Sequence, residues 1–193
     1  MTARALGYNR GVSTAARYEA LLERIRAEFP GFRIVRKDDS RLQRVIHLAL
    51  VALTLGGMRR YLDGYQTTLG ETVYVTADWE QKHFEERIIT LRHERVHMRQ
   101  FERLTPVGMA AIYLLWPAPM GLAYGRARLE WEAYRETIRA VAEMRGVAAA
   151  RDPALRERII AQFTGPAYGW MWPFERTLHR WYDEAVADLE VQA

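Results

Sequence analysis

The feature that most constrains this chain is a pair of histidines, His93 and His97, set four residues apart inside a long helical stretch. On a helix that spacing puts both imidazoles on one face, a turn apart. The stretch reads as one helix from about Trp79 to Leu104. Asp78 stands before it as an N-cap, with Gln81 three residues on as in a capping box. Ile88-Ile89-Thr90-Leu91 precedes the pair and Met98–Phe101 follows it, so the pair is expected to sit mid-helix against a core rather than on a frayed end.

The rest of the chain reads as mostly helical around this element. Ser13 or Thr14 caps a first helix that runs to about Phe29, where Pro30-Gly31 stops it. Phe32–Val35 is a short strand. Asp39 or Ser40 opens a second helix that ends near Gly56-Gly57. Tyr65–Leu69 and Thr72–Thr76 form a hairpin across Gly70-Glu71. Pro106 begins a new segment after the central helix. Further helices are expected over Gly125–Arg145, Pro153–Phe163 and Pro173–Val191. The expected fold class is α+β, mostly helical, with a small sheet before the central helix. With 193 residues, a single domain over 1–193 is expected. Its parts are a helical N-terminal region (1–60), a core (61–145) and C-terminal helices (146–193).

Composition removes several function classes. There is no cysteine, so disulfides, thiolate metal sites and cysteine nucleophiles are excluded. Any metal must be held by His, Asp or Glu. The net charge is +4, yet the arginines are interleaved with acids, as in Glu85-Glu86-Arg87 and Arg156-Glu157-Arg158. A nucleic-acid binder concentrates its basic residues in a stripe, so no nucleic-acid partner is expected. Met1–Arg17 has no apolar core of a signal peptide. Val45–Met58 is uncharged but short and holds His47. Val107–Tyr124 approaches spanning length, about 17–25 residues, but Pro117 and Pro119 interrupt it. Two short buried helices are expected there, and membrane contact through 107–124 is the alternative. The expected location is cytoplasmic, with membrane association tied to that alternative.

The chemistry follows from the histidine pair. Two imidazole nitrogens a helical turn apart can reach one zinc at about 2.0–2.1 Å. Glu94 follows the first histidine and projects beside the metal without ligating it. A carboxylate there can take a proton from a zinc-activated water. A catalytic zinc needs a third protein ligand and an open position. Glu130-Trp131-Glu132-Ala133-Tyr134-Arg135-Glu136 supplies candidates. Glu132 is favoured and Glu130 is its rival. Glu136, one turn beyond Glu132, is placed to fix a histidine tautomer. The plainer reading makes all three acids solvated partners of Arg128, Arg135 and Arg139.

Through His93-Glu94-Arg95-Val96-His97 and Glu132-Ala133-Tyr134-Arg135-Glu136 the chain resembles the zincin metallopeptidases, and among them the gluzincins. The resemblance covers about Thr67 to Arg145. It implies zinc bound by His93, His97 and Glu132, with Glu94 as general base. Glu136 stands where the family has an Asp that accepts a hydrogen bond from a ligating histidine. It also implies an edge strand before the motif helix that binds substrate backbone. Val73–Ala77 is placed for this, with Val75, Thr76 and Ala77 as contacts. An oxyanion donor is required. His179 is ranked first, then Tyr182, with Tyr168 and Tyr134 behind. The implied function is a zinc metallopeptidase acting on a peptide or protein substrate. The alternatives are a zinc hydrolase of a non-peptide amide or ester, and a metal-free scaffold that keeps the helix geometry.

Overall fold

The first helix, α1 (Thr14–Glu28), starts where Ser13 Oγ accepts from Ala16 N at 3.2 Å, the side-chain cap that Ser supplies. Tyr18, Leu21, Leu22 and Ile25 recur at helical spacing and form its buried face. Pro30 cannot extend the helix, and the chain turns into β1 (Arg33–Arg36). The computed structural model describes residues 12–53, 61–114, 121–165 and 171–191.

β1 pairs in parallel with β3 (Thr72–Val75), and β2 (Thr67–Leu69) pairs antiparallel on the other side of β3. The order is therefore β1-β3-β2. Gly70, with φ +59°, makes the turn between β2 and β3, a conformation open to glycine at little cost. A parallel pair needs a long crossover. It contains α2 (Arg41–Leu53) and the short α3 (Tyr61–Gly64). The end of the second expected helix, about Gly56-Gly57, lies outside the described residues.

This topology corrects the expectation that Val73–Ala77 is an edge strand. β3 is the central strand and both of its sides are taken. Val75 O accepts from Lys37 N at 2.8 Å, and Thr76 O accepts from Trp79 N at 3.1 Å. Strand addition along β3 is therefore blocked: the Val75 carbonyl already serves the sheet, and the Thr76 carbonyl serves the following turn. The parallel β1 pairing comes from a distant part of the chain, which strand patterning alone does not reveal.

The central helix also starts later than expected. Trp79–Gln81 is a single 3-10 turn, and α4 (Phe84–Leu114) begins after it. Asp78 has φ −83° and ψ 6° and makes no capping bond; an N-cap needs extended backbone there. Thr105 interrupts α4 with φ 62° and ψ 160°. Pro106 follows, and a residue before proline is driven out of the α region. The expected break at Pro106 is thus present. α5 (Gly121–Arg145) follows, then α6 (Val147–Ala150), α7 (Pro153–Thr164) and α8 (Glu175–Val191). Among the described residues, no helix is long and apolar enough to cross a membrane. The fold is mostly helical with a three-stranded sheet, α+β as expected.

Two apolar cores flank α4 and α5. One joins α1, the sheet and α4 through Ile25, Phe29, Val73, Trp79, Leu91 and Met98. The other joins α5 to α7 and α8 through Trp131, Ile138, Phe163, Leu178 and Trp181. α4 and α5 pack on each other extensively, and the histidine pair faces α5 at that contact.

Candidate metal centre

α4 presents His93, Glu94 and His97 on neighbouring faces. His97 and Glu94 are buried, whereas His93 keeps a partly open face. The two Nε2 atoms lie 3.2 Å apart. α5 closes the group with Glu130, buried at 3% exposure, whose Oε2 lies 3.7 Å from His97 Nε2. One donor atom from each of His93, His97 and Glu130 lies within 4.8 Å of the others.

The hydrogen-bond network assigns both imidazole tautomers. His97 Nδ1–H donates to Gln100 Oε1 at 2.9 Å. That amide must present its oxygen to His97, because its Nε2 donates to Leu129 O and to Glu132 Oε2, both at 2.9 Å. His93 Nδ1–H donates to Thr137 Oγ1 at 3.0 Å, and the Thr137 hydroxyl donates onward to Ala133 O at 3.2 Å. Each ring thus spends its only proton on Nδ1, and two Nε2 lone pairs face each other. Burial, and then the neighbouring His97, hold His93 well below the usual histidine range, against the pull of the Ala133 carbonyl. Two converging lone pairs repel unless a cation lies between them. Ligands at about 2.0–2.1 Å in a tetrahedral shell stand about 3.3 Å apart, which matches the spacing of the Nε2 atoms. The donor set of two neutral imidazoles and a carboxylate fits zinc.

The third position is the main correction to the sequence reading. Glu130, not Glu132, stands with the histidines. Glu132 instead accepts from Gln100 and from Arg103, the latter at 3.1 Å. It acts on His97 only through Gln100. Helix geometry explains this. Ala127, Glu130, Ala133, Thr137 and Ala140 recur on the face of α5 that meets α4, and the alanines among them are fully buried. Glu132, Glu136, Arg139 and Glu143 form a second row a fraction of a turn away. Arg92 of α4 grips that row, donating to Glu136 at 2.7 Å and to Glu143 at 3.1 Å. Arg139 adds a bond to Glu136 at 3.0 Å. Glu136 therefore ties two helices together rather than orienting a histidine; Thr137 and Gln100 do that. The signal for Glu130 is in the sequence, as an acid falling within a stripe of small residues.

Glu94 is 6% exposed. Its Oε2 accepts from Thr68 Oγ1 of β2 at 2.7 Å. Burial pushes its carboxyl above the usual range. His97, the Thr68 hydroxyl and Lys37 pull it back, and Glu130 adds to the rise. A buried carboxyl raised in this way, beside groups that could hold a metal, is a candidate base.

The expected oxyanion donors are dispersed. His179 lies on α8, and among the described residues no hydrogen bond, ion pair or ring contact joins it to the histidine pair. Tyr182 is fully buried and its hydroxyl donates to Ala150 O at 2.7 Å, so it serves the C-terminal core. Tyr168 lies outside the described residues. Tyr134 alone meets the pair, its ring edge-on to His93 with centroids 4.8 Å apart. Four contributors carry no signal in the sequence: Thr137 and Gln100, which orient the imidazoles, and Thr68 and Lys37 on the sheet side. Thr68 carries no motif, and Lys37 follows a strand whose pairing is non-local. Set against protein-family models, curated proteins and solved structures, the chain matches none of them.

Proposed function

We propose that this site binds zinc through His93, His97 and Glu130 and hydrolyses peptide bonds, in the manner of a small gluzincin-like metallopeptidase. The observation that carries the reading is the pair of Nε2 lone pairs converging at 3.2 Å, beside a buried carboxylate ligand and a buried base. Zinc bound there supplies an electrophilic centre that acidifies water and polarises a scissile carbonyl. Every other step belongs to the chain. Gln100 and Thr137 hold the two imidazoles in the tautomer that presents Nε2. Thr68 holds one oxygen of Glu94, which leaves Oε1 to take the proton of the attacking water. Glu94 then returns that proton to the leaving amine. The partly open face of His93 gives substrate its approach. β2 lies at the sheet edge nearest this centre and packs on α4. An extended peptide adds there by backbone pairing.

The test is zinc content in protein purified without added metal, beside His97→Ala and Glu94→Gln. About one zinc per chain in wild type and Glu94→Gln, little in His97→Ala, and peptide cleavage only in wild type support the reading. Absence of zinc after incubation with the metal, or full activity of Glu94→Gln, overturns it.

A further inference from the structure

Lys37, one of two lysines in the chain, is 1% exposed. It follows β1 directly, and its backbone N–H donates to Val75 O at 2.8 Å, so its main chain is part of the sheet. Its side chain leaves the sheet and reaches the turn that leads into β2. Nζ donates to Tyr61 O at 2.9 Å and to Tyr65 O at 2.8 Å. The same ammonium lies 4.0 Å from the Tyr61 ring centroid and 4.9 Å from that of Tyr65, within cation–π range. Tyr65 is two residues before β2 begins, and Thr68 of β2 holds Glu94.

We propose that Lys37 is a positioning residue of this site: its ammonium clamps the 61–65 turn to the end of β1 and so sets where β2 presents Thr68 to Glu94. The inference rests on the reading of Glu94 as general base. A buried ammonium is costly, and a methionine would fill much the same volume without that penalty. It would, however, leave two buried carbonyls without their donor. The cation also stands where charge matters. Tyr61, Asp63 and Tyr65 face it from the turn, Glu94 from α4, and His47 of α2 stacks on Tyr61 with centroids 6.3 Å apart. Glu94 and Asp63 are the two anions that favour its charged form, against burial, which lowers its pKa to about 8. Because Lys37 is almost wholly covered, it acts on the reaction only through Thr68 and Glu94 and cannot touch substrate.

The experiment compares wild type, Lys37→Met and Lys37→Arg by zinc content, by kcat and KM on one cleaved peptide, and by amide hydrogen exchange over 61–68. Lys37→Met is expected to hold zinc as wild type does. Its 61–68 amides exchange faster, and kcat falls by about 10–100-fold, the scale of losing an outer-shell partner, with KM nearly unchanged. Lys37→Arg, which keeps the charge and the donors, recovers most of kcat. Lys37→Gln replaces Lys37→Met should the latter not fold. Unchanged kcat in Lys37→Met, or a loss that falls on KM, or a loss that Lys37→Arg leaves in full, overturns the inference while the peptidase reading stands. A wild type that binds no zinc and cleaves nothing overturns that reading and this inference with it.

Discussion

The two walls of the site are built on different physics. On the α5 side, the groups that hold the imidazoles are neutral. Thr137 of α5 and Gln100 of α4, each anchored on a main-chain carbonyl of α5, hydrogen-bond the rings and settle which ring nitrogen carries the proton, although Gln100 also leans on the Glu132 carboxylate. On the sheet side, the buried groups are charged or partner a charge. Lys37 and Glu94 face one another, and Thr68 is tied to Glu94. Neutral donors fix geometry without shifting charge, which suits a metal site whose ligands must stay deprotonated. Buried charges set proton affinity, which suits a base. Under the proposed peptidase reading, the α5 wall binds the metal and the sheet wall moves the proton.

That division is broken most directly at Glu94. Glu94→Gln preserves shape and the Thr68 contact but cannot accept a proton. Turnover is expected to fall by about 10²–10⁴-fold, the range for a lost general base, with zinc content unchanged by metal analysis. Loss of zinc together with activity would put Glu94 on the metal-binding wall and erase the distinction.

Next in size is the choice between two acids on α5. Glu130→Gln is expected to weaken zinc binding by at least about 100-fold, since it removes a ligand outright. Glu132→Gln leaves the ligand set intact and loosens only Gln100, so a change of a few-fold is expected, below the about 10–100-fold of a direct outer-shell partner. Competition titration with a zinc chelator reads both. Equal losses would mean that Gln100 needs the full charge of Glu132. A smaller loss at Glu130 would return the third position to Glu132.

How legible this was depends on the range of the contacts. The histidine pair and Glu94 are local to one helix, and helical periodicity alone places them. Ser13 as a cap, the hairpin across Gly70 and the break at Pro106 are likewise local, and each is where the sequence puts it. Glu130 was half legible. It stands beside Glu132 in the sequence, and only the stripe of small residues from Ala127 to Ala140 separates the two. Thr68 and Lys37 were not legible. Their roles arise from a parallel pairing between β1 and β3, and nothing within a few residues of either signals it. The same non-local pairing made β3 central, so it is not the edge strand expected over Val73–Ala77.

A middle-sized effect tests the neutral wall. Thr137→Val removes the hydroxyl that accepts from His93 Nδ1 and little volume. Zinc affinity is expected to drop by about 10–100-fold, with kcat of the zinc-loaded protein close to wild type. A fall in kcat at saturating zinc would show that this wall also tunes the chemistry.

The smallest expected effect separates the walls without any metal. Lys37 carries a pKa lowered by burial from 10.5 to about 8. Between those values the unfolded chain keeps the lysine proton and the folded chain has lost it. The unfolded state then binds more protons, so raising the pH through this window stabilises the fold, by at most about 1.4 kcal/mol per pH unit for one group. Tyr65 and Tyr182, each raised to about 12 by burial, act in the opposite sense, but only above about 10, the usual tyrosine value. Urea unfolding at pH 7, 8, 9 and 9.5 therefore isolates the lysine. The difference between wild type and Lys37→Met is expected to move in favour of wild type from about pH 8 upward. Thr137→Val is expected to track wild type across the range, because Thr137 does not titrate and burial keeps the His93 it holds well below this range. A flat difference for Lys37→Met would mean that its ammonium is solvated in the folded chain, and the sheet wall would then hold Glu94 by hydrogen bonding alone, as the α5 wall holds the imidazoles.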